Sequence, residues 1–254
     1  MPSMPPASRA RSSRDALEQG VIGHEWVATA HVPDGVEMRL MRQGDEFTIF
    51  LEYNELMSTR ASASEQALAT MTCDRLDRRG RTELLIGGYG MGYTLRAALE
   101  VLGPDAVVTV AELVPDIIAW ARGPMHALTG DCLDDARVVL VDDDVAVLID
   151  AAREGYDAIL LDVDNGPDGL TCWANDYLYE ESGLVAAMKA LKPRGILAVW
   201  SAAPDAAFTE RLLQTGFEVE EVAVEEGADD DDAHHLIWFA RKPAKVAVSA
   251  LDPA

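Results

Sequence analysis

The sequence predicts an α/β protein, a doubly wound and mostly parallel seven-stranded sheet preceded by a small N-terminal β unit. Three observations carry that expectation. From residue 61 onward, short apolar runs of strand character alternate with segments of helix period. One run, Glu83 to Gly87, passes through the glycine-rich turn Gly88-Tyr89-Gly90-Met91-Gly92 and becomes a helix pattern from Thr94 to Leu102. A third run, Tyr156 to Leu161, ends on Asp162 and enters a loop constrained by Gly166 and Pro167.

Met1 to Arg14 is rich in proline, serine and arginine without the apolar centre of a secretory signal. Residues 1–20 therefore read as a disordered leader, and their composition leaves a transit peptide open. Residues 21–60 form the small β unit. Val36 to Gln43 and Glu46 to Tyr53 make a hairpin about Gly44-Asp45, and His24 to Val32 adds a further strand. The main domain spans 61–242, with a flexible tail over 243–254. A helix runs from Ser64, its capping residue, to about Arg79. Strands follow at Glu83 to Gly87, Ala106 to Ala111, Arg137 to Val141, Tyr156 to Leu161 and Gly195 to Trp200. After a helix near Asp205 to Thr215, Phe217 to Val224 and His234 to Ala240 form the last pair. No internal repeat is visible.

The 254 residues, 49% hydrophobic, suffice for one large domain or a core with a small appendage. No apolar stretch has membrane length, so no membrane partner is expected. A formal charge of -23 repels nucleic acid unless a local basic surface overcomes it, and the sequence has no such cluster. Much of the acidic excess lies in Glu225 to Asp232, read as an exposed loop between the two terminal strands. Cys73, Cys132 and Cys172 have neither zinc-ligand spacing nor the arrangement of a disulfide framework; they read as buried or partly buried small side chains in a cytoplasmic protein. His234 and His235 are adjacent on a strand and face opposite sides, so no metal site is expected there or elsewhere.

Glycines at 88, 90 and 92 permit close backbone approach, and the helix that follows offers free amides to polar groups of a cofactor. Glu112 stands at the end of the next strand, where an acid accepts hydrogen bonds from both hydroxyls of a ribose. Asp144 follows the third strand and is placed to meet an adenine amino group while Val145 packs on the ring; Asp142 and Asp143 beside it leave the assignment open. A nicotinamide dinucleotide site competes for the glycine turn and Glu112, but the later acids disfavour it. Asp162, at the carboxyl edge of its strand, faces the same crevice as Gly90 and Glu112.

Over roughly Phe47 to Lys242 this series resembles the spermidine synthase-like branch of the class I S-adenosylmethionine-dependent transferase superfamily. The glycine turn with Thr94-Leu95-Arg96, Glu112, Asp135-Ala136-Arg137-Val138 before Asp144, and Tyr156 to Asp162 carry the likeness. The resemblance implies a Rossmann-like methyltransferase sheet and cofactor contacts at Gly88, Gly90, Gly92, Glu112, Asp144 and Val145. It makes Asp162 the carboxylate that orients and deprotonates an attacking amine. Asp164, Asn165, Tyr177 and Tyr179 are implied on the acceptor side, with Trp173 as a further pocket wall. Covalent catalysis by Cys172 is not expected. Two departures bear on the reaction: Met91 and Asn165 stand where those synthases carry acids. Without an acid at 91, the amine tail of decarboxylated S-adenosylmethionine lacks its expected partner. The expectation is therefore a methyltransferase that uses S-adenosylmethionine on a small, cationic or amine-containing acceptor by in-line transfer. The alternative is aminopropyl transfer from decarboxylated S-adenosylmethionine to a polyamine. A homodimer is left open.

Overall fold

In the computed structural model the chain builds two sheets that share a hydrophobic core. The structure describes residues 23–33, 35–52, 54–77, 80–163, 166–167, 176–226 and 234–244. The first sheet is antiparallel, with β1 (Glu25–His31), β2 (Glu37–Gln43), β3 (Glu46–Leu51) and β4 (Asn54–Ser58) in sequential order. Gln43 pairs with Glu46, which leaves Gly44 and Asp45 as a two-residue turn; Gly44 takes φ 62, as such hairpins require. The short β4 has no counterpart among the expected strands. Its five residues show little alternation, and pairing with β3 through an irregular register is what makes it a strand.

The second sheet has seven strands in the order β10-β11-β9-β8-β5-β6-β7. They are β5 (Glu83–Gly87), β6 (Val107–Glu112), β7 (Val138–Asp142), β8 (Tyr156–Leu161), β9 (Leu191–Ser201), β10 (Glu218–Glu225) and β11 (His234–Arg241). Strands β5 to β9 pair in parallel, and β11 runs antiparallel to both neighbours. The chain leaves β5 toward β6 and β7, then returns to the other side of β5 as β8. This reversal opens a crevice at the carboxyl ends of the central strands. Register sets what meets there: Gly87 lies level with Ala111 and Leu161, and Glu112 with Asp142. Gly88, Glu112 and Asp162 are thus brought to one edge.

Alternation along each strand divides the core between two faces. Leu84, Ile86, Val108, Val110, Ala158 and Leu160 point to one. There they meet α1 (Ala63–Arg75), α2 (Tyr93–Val101) and α3 (Pro115–Arg122), and the N-terminal sheet adds Leu40 and Ile49 to the same cluster. Leu85, Ile159, Leu161, Leu197 and Val199 point to the other, against α5 (Val145–Ala151), α7 (Glu181–Ala190) and α8 (Ala206–Thr215); of the short helices, α4 (His126–Thr129) packs with the first face and α6 (Asp176–Tyr179) with the second. Helix α8 is bounded by local chemistry: Asp205 accepts from the amides of Ala207 and Phe208, and Gly216 closes it at φ 100.

Helix α1 departs from expectation at both ends. Its N-cap is Ser62, whose side chain makes no capping bond, and it stops at Arg75, short of Arg79. Its first amides are capped from across the fold by Glu226. That residue is buried at 6% exposure, so the acidic segment expected as an exposed loop, whose first residue Glu225 is exposed, turns inward at its second; 227–233 lie outside the described residues. Cys73 is buried and Cys132 partly so, while Cys172 lies outside the described residues. Among the described residues no helix is long and apolar enough to cross a membrane.

Candidate functional site

The crevice at the sheet edge widens into a cleft of about 1040 Å³, counting its open mouth. A nucleoside with an alkyl tail fits a space of that size. Gly88 forms its floor. Its amide donates to the Ala111 carbonyl at 2.9 Å, and the Asp162 amide donates to the Gly87 carbonyl at 3.0 Å, which stitches the three strand ends together. Gly88 has φ 83, and a Cβ there would stand 2.2 Å from the Asp162 carbonyl oxygen. Gly90, at φ 53, faces the thioether end of Met57, and Gly92, at φ 74, is the N-cap of α2.

Glu112 lines the cleft and is only 7% exposed. Its Oε2 accepts the Tyr89 amide at 2.8 Å and its Oε1 the Val114 amide at 2.9 Å. Burial raises its carboxyl above the ordinary range, and these amide bonds oppose the rise. Asp144 also lines the cleft, whereas Asp142 and Asp143 are exposed outside it. One oxygen of Asp144 caps α5 by accepting the Ala146 amide at 2.8 Å. Val145 is buried beside it, against Gly87.

Asp162 lines the opposite side, half-buried, and accepts a 2.7 Å hydrogen bond from the Thr94 hydroxyl at the start of α2. That hydroxyl also lies 3.3 Å from the Glu65 carbonyl, so Asp162 and the first turn of α1 are neighbours. The Glu65 side chain enters the same cleft and is 7% exposed. Burial first, and the charge of Asp162 second, push its carboxyl from 4.5 up to about 8. Behind it, the Ser64 hydroxyl lies 2.9 Å from Glu65 Oε2 and in close contact with Glu226 Oε1. Glu226 has the contrary balance. Burial works against its ionisation, but bonds from the Ser64 hydroxyl and the amides of Ser64 and Ala63, with His235 alongside, hold its carboxyl below the usual range.

These shifts set a pH dependence of stability. A proton at Glu65 is held by the folded chain and given up by the unfolded one. Its contribution is therefore full below pH 4.5 and lost as pH rises through about 8. Stability is expected to fall across that interval by on the order of a few kcal/mol. Glu112, raised in the same direction, adds a slope of the same sign. The Glu65 share is read as the difference between wild type and Glu65→Gln in urea midpoints taken across the interval. Identical slopes in the two proteins would refute it.

Of the residues expected at the site, Gly88, Gly90, Glu112, Asp144, Val145 and Asp162 line the cleft together. Gly92 sits one step behind, under the Tyr89 ring. Tyr177 and Tyr179 are not in its lining. The Tyr177 hydroxyl donates to Asp150 at 2.7 Å, and Tyr179 is buried edge-on against Phe208 on the other face of the sheet. Asp164, Asn165, Cys172 and Trp173 fall outside the described residues. Sequence reasoning missed Glu65 and the apolar wall from the N-terminal sheet, which includes Val32, Met38, Ile49 and Leu51, and it named Thr94 only as part of the glycine-turn motif, with no site role. Trp200 is buried yet contributes to the lining. The one signal for Glu65 is misleading: Ser62-Ala63-Ser64-Glu65 has capping-box spacing, which assigns the acid to its own helix end.

A doubly wound sheet with a glycine turn and acids at the ends of successive strands is a Rossmann-like fold of the spermidine-synthase type. The known proteins that the chain is similar to are polyamine aminopropyltransferases and spermidine synthases, the branch of the class I S-adenosylmethionine-dependent transferases whose motifs it resembles. A polyamine aminopropyltransferase of Mycobacterium tuberculosis is 29% identical over 171 residues, covering 66% of this chain and 31% of the relative. Polyamine aminopropyltransferase 1 of Streptomyces coelicolor is 35% identical over 127 residues, 48% of this chain and 23% of the relative. The chain thus spans about a third or less of these curated relatives. Among solved structures, spermidine synthase from Thermotoga maritima superposes with a TM-score of 0.68 at 16% identity, over 86% of this chain and 73% of that one. A spermidine synthase in complex with the transition-state analogue AdoDATO gives 0.67 at 17%, with the same coverage. No family model matches the chain. The relatives overturn the expectation that favoured methyl over aminopropyl transfer. Its physical premise fails as well. Met91, whose lack of charge prompted it, is wholly buried and absent from the cleft lining, while Glu65 brings a carboxyl into the cleft from helix α1.

Proposed function

We propose that the chain is a transferase of the aminopropyltransferase type, moving the aminopropyl group of decarboxylated S-adenosylmethionine to a small amine. The observation that carries the reading is the cleft itself. Every charged side chain among its described lining residues is acidic, namely Glu65, Glu112, Asp144 and Asp162. A cationic nucleoside and a cationic acceptor suit that wall, and an anionic ligand does not.

The residues present fit such a nucleoside. Glu112, held at the end of β6 with Oε2 on the Tyr89 amide and Oε1 on the Val114 amide, receives the ribose hydroxyls. Asp144, with one oxygen engaged in capping, turns the other to the adenine amino group, and Val145 packs on the ring. Gly88 and Gly90 keep side chains out of the space the nucleoside needs. Decarboxylated S-adenosylmethionine supplies a sulfonium: the amine lone pair forms the new C–N bond as the C–S pair returns to sulfur, leaving methylthioadenosine. Asp162, fixed by Thr94, orients the attacking nitrogen and takes its proton, because an ammonium has no lone pair to attack with. The apolar wall from the N-terminal sheet excludes water from the carbon chain.

Mass spectrometry tests the reading. Purified protein is given a pool of diamines and polyamines with either decarboxylated or ordinary S-adenosylmethionine. An amine gaining C3H7N, only with the decarboxylated form, is the expected product. Methylated amine from the ordinary form, or nucleoside binding with no product from either, would reject it.

A further inference from the structure

We propose that Glu65, beside Asp162, is the seat for the terminal ammonium of the decarboxylated S-adenosylmethionine tail, and that it gives up a proton as the ammonium arrives. The proposal rests on the aminopropyl-transfer reading and adds a residue that the motifs do not contain. Position 91, where the resemblance places an acid for that ammonium, is closed to the role. Met91 is 0% exposed, and its amide donates toward Met57 Sδ at 3.2 Å. Glu65 reaches the cleft instead, from the first turn of α1 and with its side chain more than nine-tenths buried.

The hydroxyl of Ser64 reveals the state in which Glu65 waits. It lies within hydrogen-bond distance of carboxyl oxygens of both Glu65 and Glu226, yet it has a single proton to donate. One of the two acids must donate back to it. Glu226 has the stronger claim to ionisation, since it accepts the amides of Ser62, Ala63 and Ser64 and lies 3.2 Å from His235 Nδ1. The proton therefore belongs to Glu65, which donates to Ser64 while Ser64 donates to Glu226.

The surroundings of Glu65 favour exchanging that proton for a cation. Asp162 faces it from the end of β8, Glu226 from the end of β10 with His235 of β11 behind, and Tyr93 from α2 with Arg96 over its ring. Arg96 is turned away, donating to the Met91 carbonyl at 3.0 Å, and Arg75, at the far end of α1, is paired with Glu220. An ammonium between Glu65 and Asp162 relieves their repulsion and leaves both carboxylates charged. The carboxylate of ordinary S-adenosylmethionine would enter the same acidic wall and be repelled. Glu65 thus makes the choice between the two nucleosides.

Calorimetry near neutral pH, in buffers of different ionisation enthalpy, reads both affinity and protons released. The ligands are decarboxylated S-adenosylmethionine, ordinary S-adenosylmethionine and methylthioadenosine, which has no amine tail. Wild type is expected to release a proton only with the decarboxylated form and to prefer it over the ordinary one. In Glu65→Gln the release should vanish and the preference fall by about ten-fold or more, with methylthioadenosine affinity changed less than about two-fold. Glutamine can donate to Ser64 as a protonated Glu65 does, so the fold is retained. Glu65→Asp, which keeps the acid, should keep the release. Proton release that persists in Glu65→Gln, or an unchanged preference, overturns the role of Glu65 while the transfer reading stands. Failure of wild type to bind methylthioadenosine removes the nucleoside site, and both proposals with it.

Discussion

Asp162→Asn is expected to lower turnover by roughly 100- to 10,000-fold, the range for loss of a positioned general base. Asparagine keeps the volume and can still accept the 2.7 Å bond from Thr94, so the cleft should hold its shape. What disappears is the group proposed to take the proton from the attacking ammonium. Nucleoside affinity should change far less, because the sugar and base contacts proposed for Glu112 and Asp144 lie elsewhere in the cleft lining. The substitution also removes a charge that raises the Glu65 carboxyl, so Glu65 should titrate lower in the variant. Single-turnover measurements with saturating nucleoside separate the effects. Turnover equal to wild type under conditions where chemistry limits the rate would remove Asp162 from the mechanism.

The second large effect is expected at Gly88. In Gly88→Ala the new methyl carbon meets the Asp162 backbone carbonyl, at 2.2 Å, in a conformation of φ 83 that disfavours any side chain. Backbone at the junction of β5 and β8 must move, and that junction carries the proposed base. We expect a loss of about 3 kcal/mol or more in stability and no measurable activity. Gly90→Ala is the control. Its methyl meets the Met57 thioether, at 2.8 Å from Cε, and a flexible side-chain end can swing aside. The cost there should be nearer about 1 kcal/mol, set by the φ of 53 alone. Urea denaturation of the two variants tests the contrast. Equal losses would mean that the close approach at Gly88 is not what demands glycine.

Much of the fold is legible in the sequence because its determinants are local. Apolar runs, glycine turns and capping residues act within a few positions of one another, so Glu83 to Gly87, Tyr156 to Leu161 and the helix from Asp205 stand out from the pattern of residues alone. The boundaries of α1 are different. Local pattern makes Ser64 its cap, but the helix begins earlier because the carboxylate of Glu226, 162 residues from Ser64, accepts its first amides. Strand β4 likewise depends on a partner rather than on its own pattern.

The site divides in the same way. Gly88, Glu112, Asp144 and Asp162 are legible because each ends a strand or lies within two residues of its end, and parallel strands in register must deliver such residues to one edge. The sequence by itself therefore determined the sheet, the glycine turn and the acids at its rim. Tertiary structure decided the tail end of the cleft. It withdrew Met91 into the core, turned Tyr177 and Tyr179 away, and brought Glu65 in beside Asp162. The physical reason is that a charge in a cleft is set by which side chains converge in space, and helix α1, distant from β8 in sequence, meets the end of that strand only through the packing of the fold. The absence of an acid at one motif position then says nothing about the charge of the pocket, because a carboxyl from a distant helix can fill the same space.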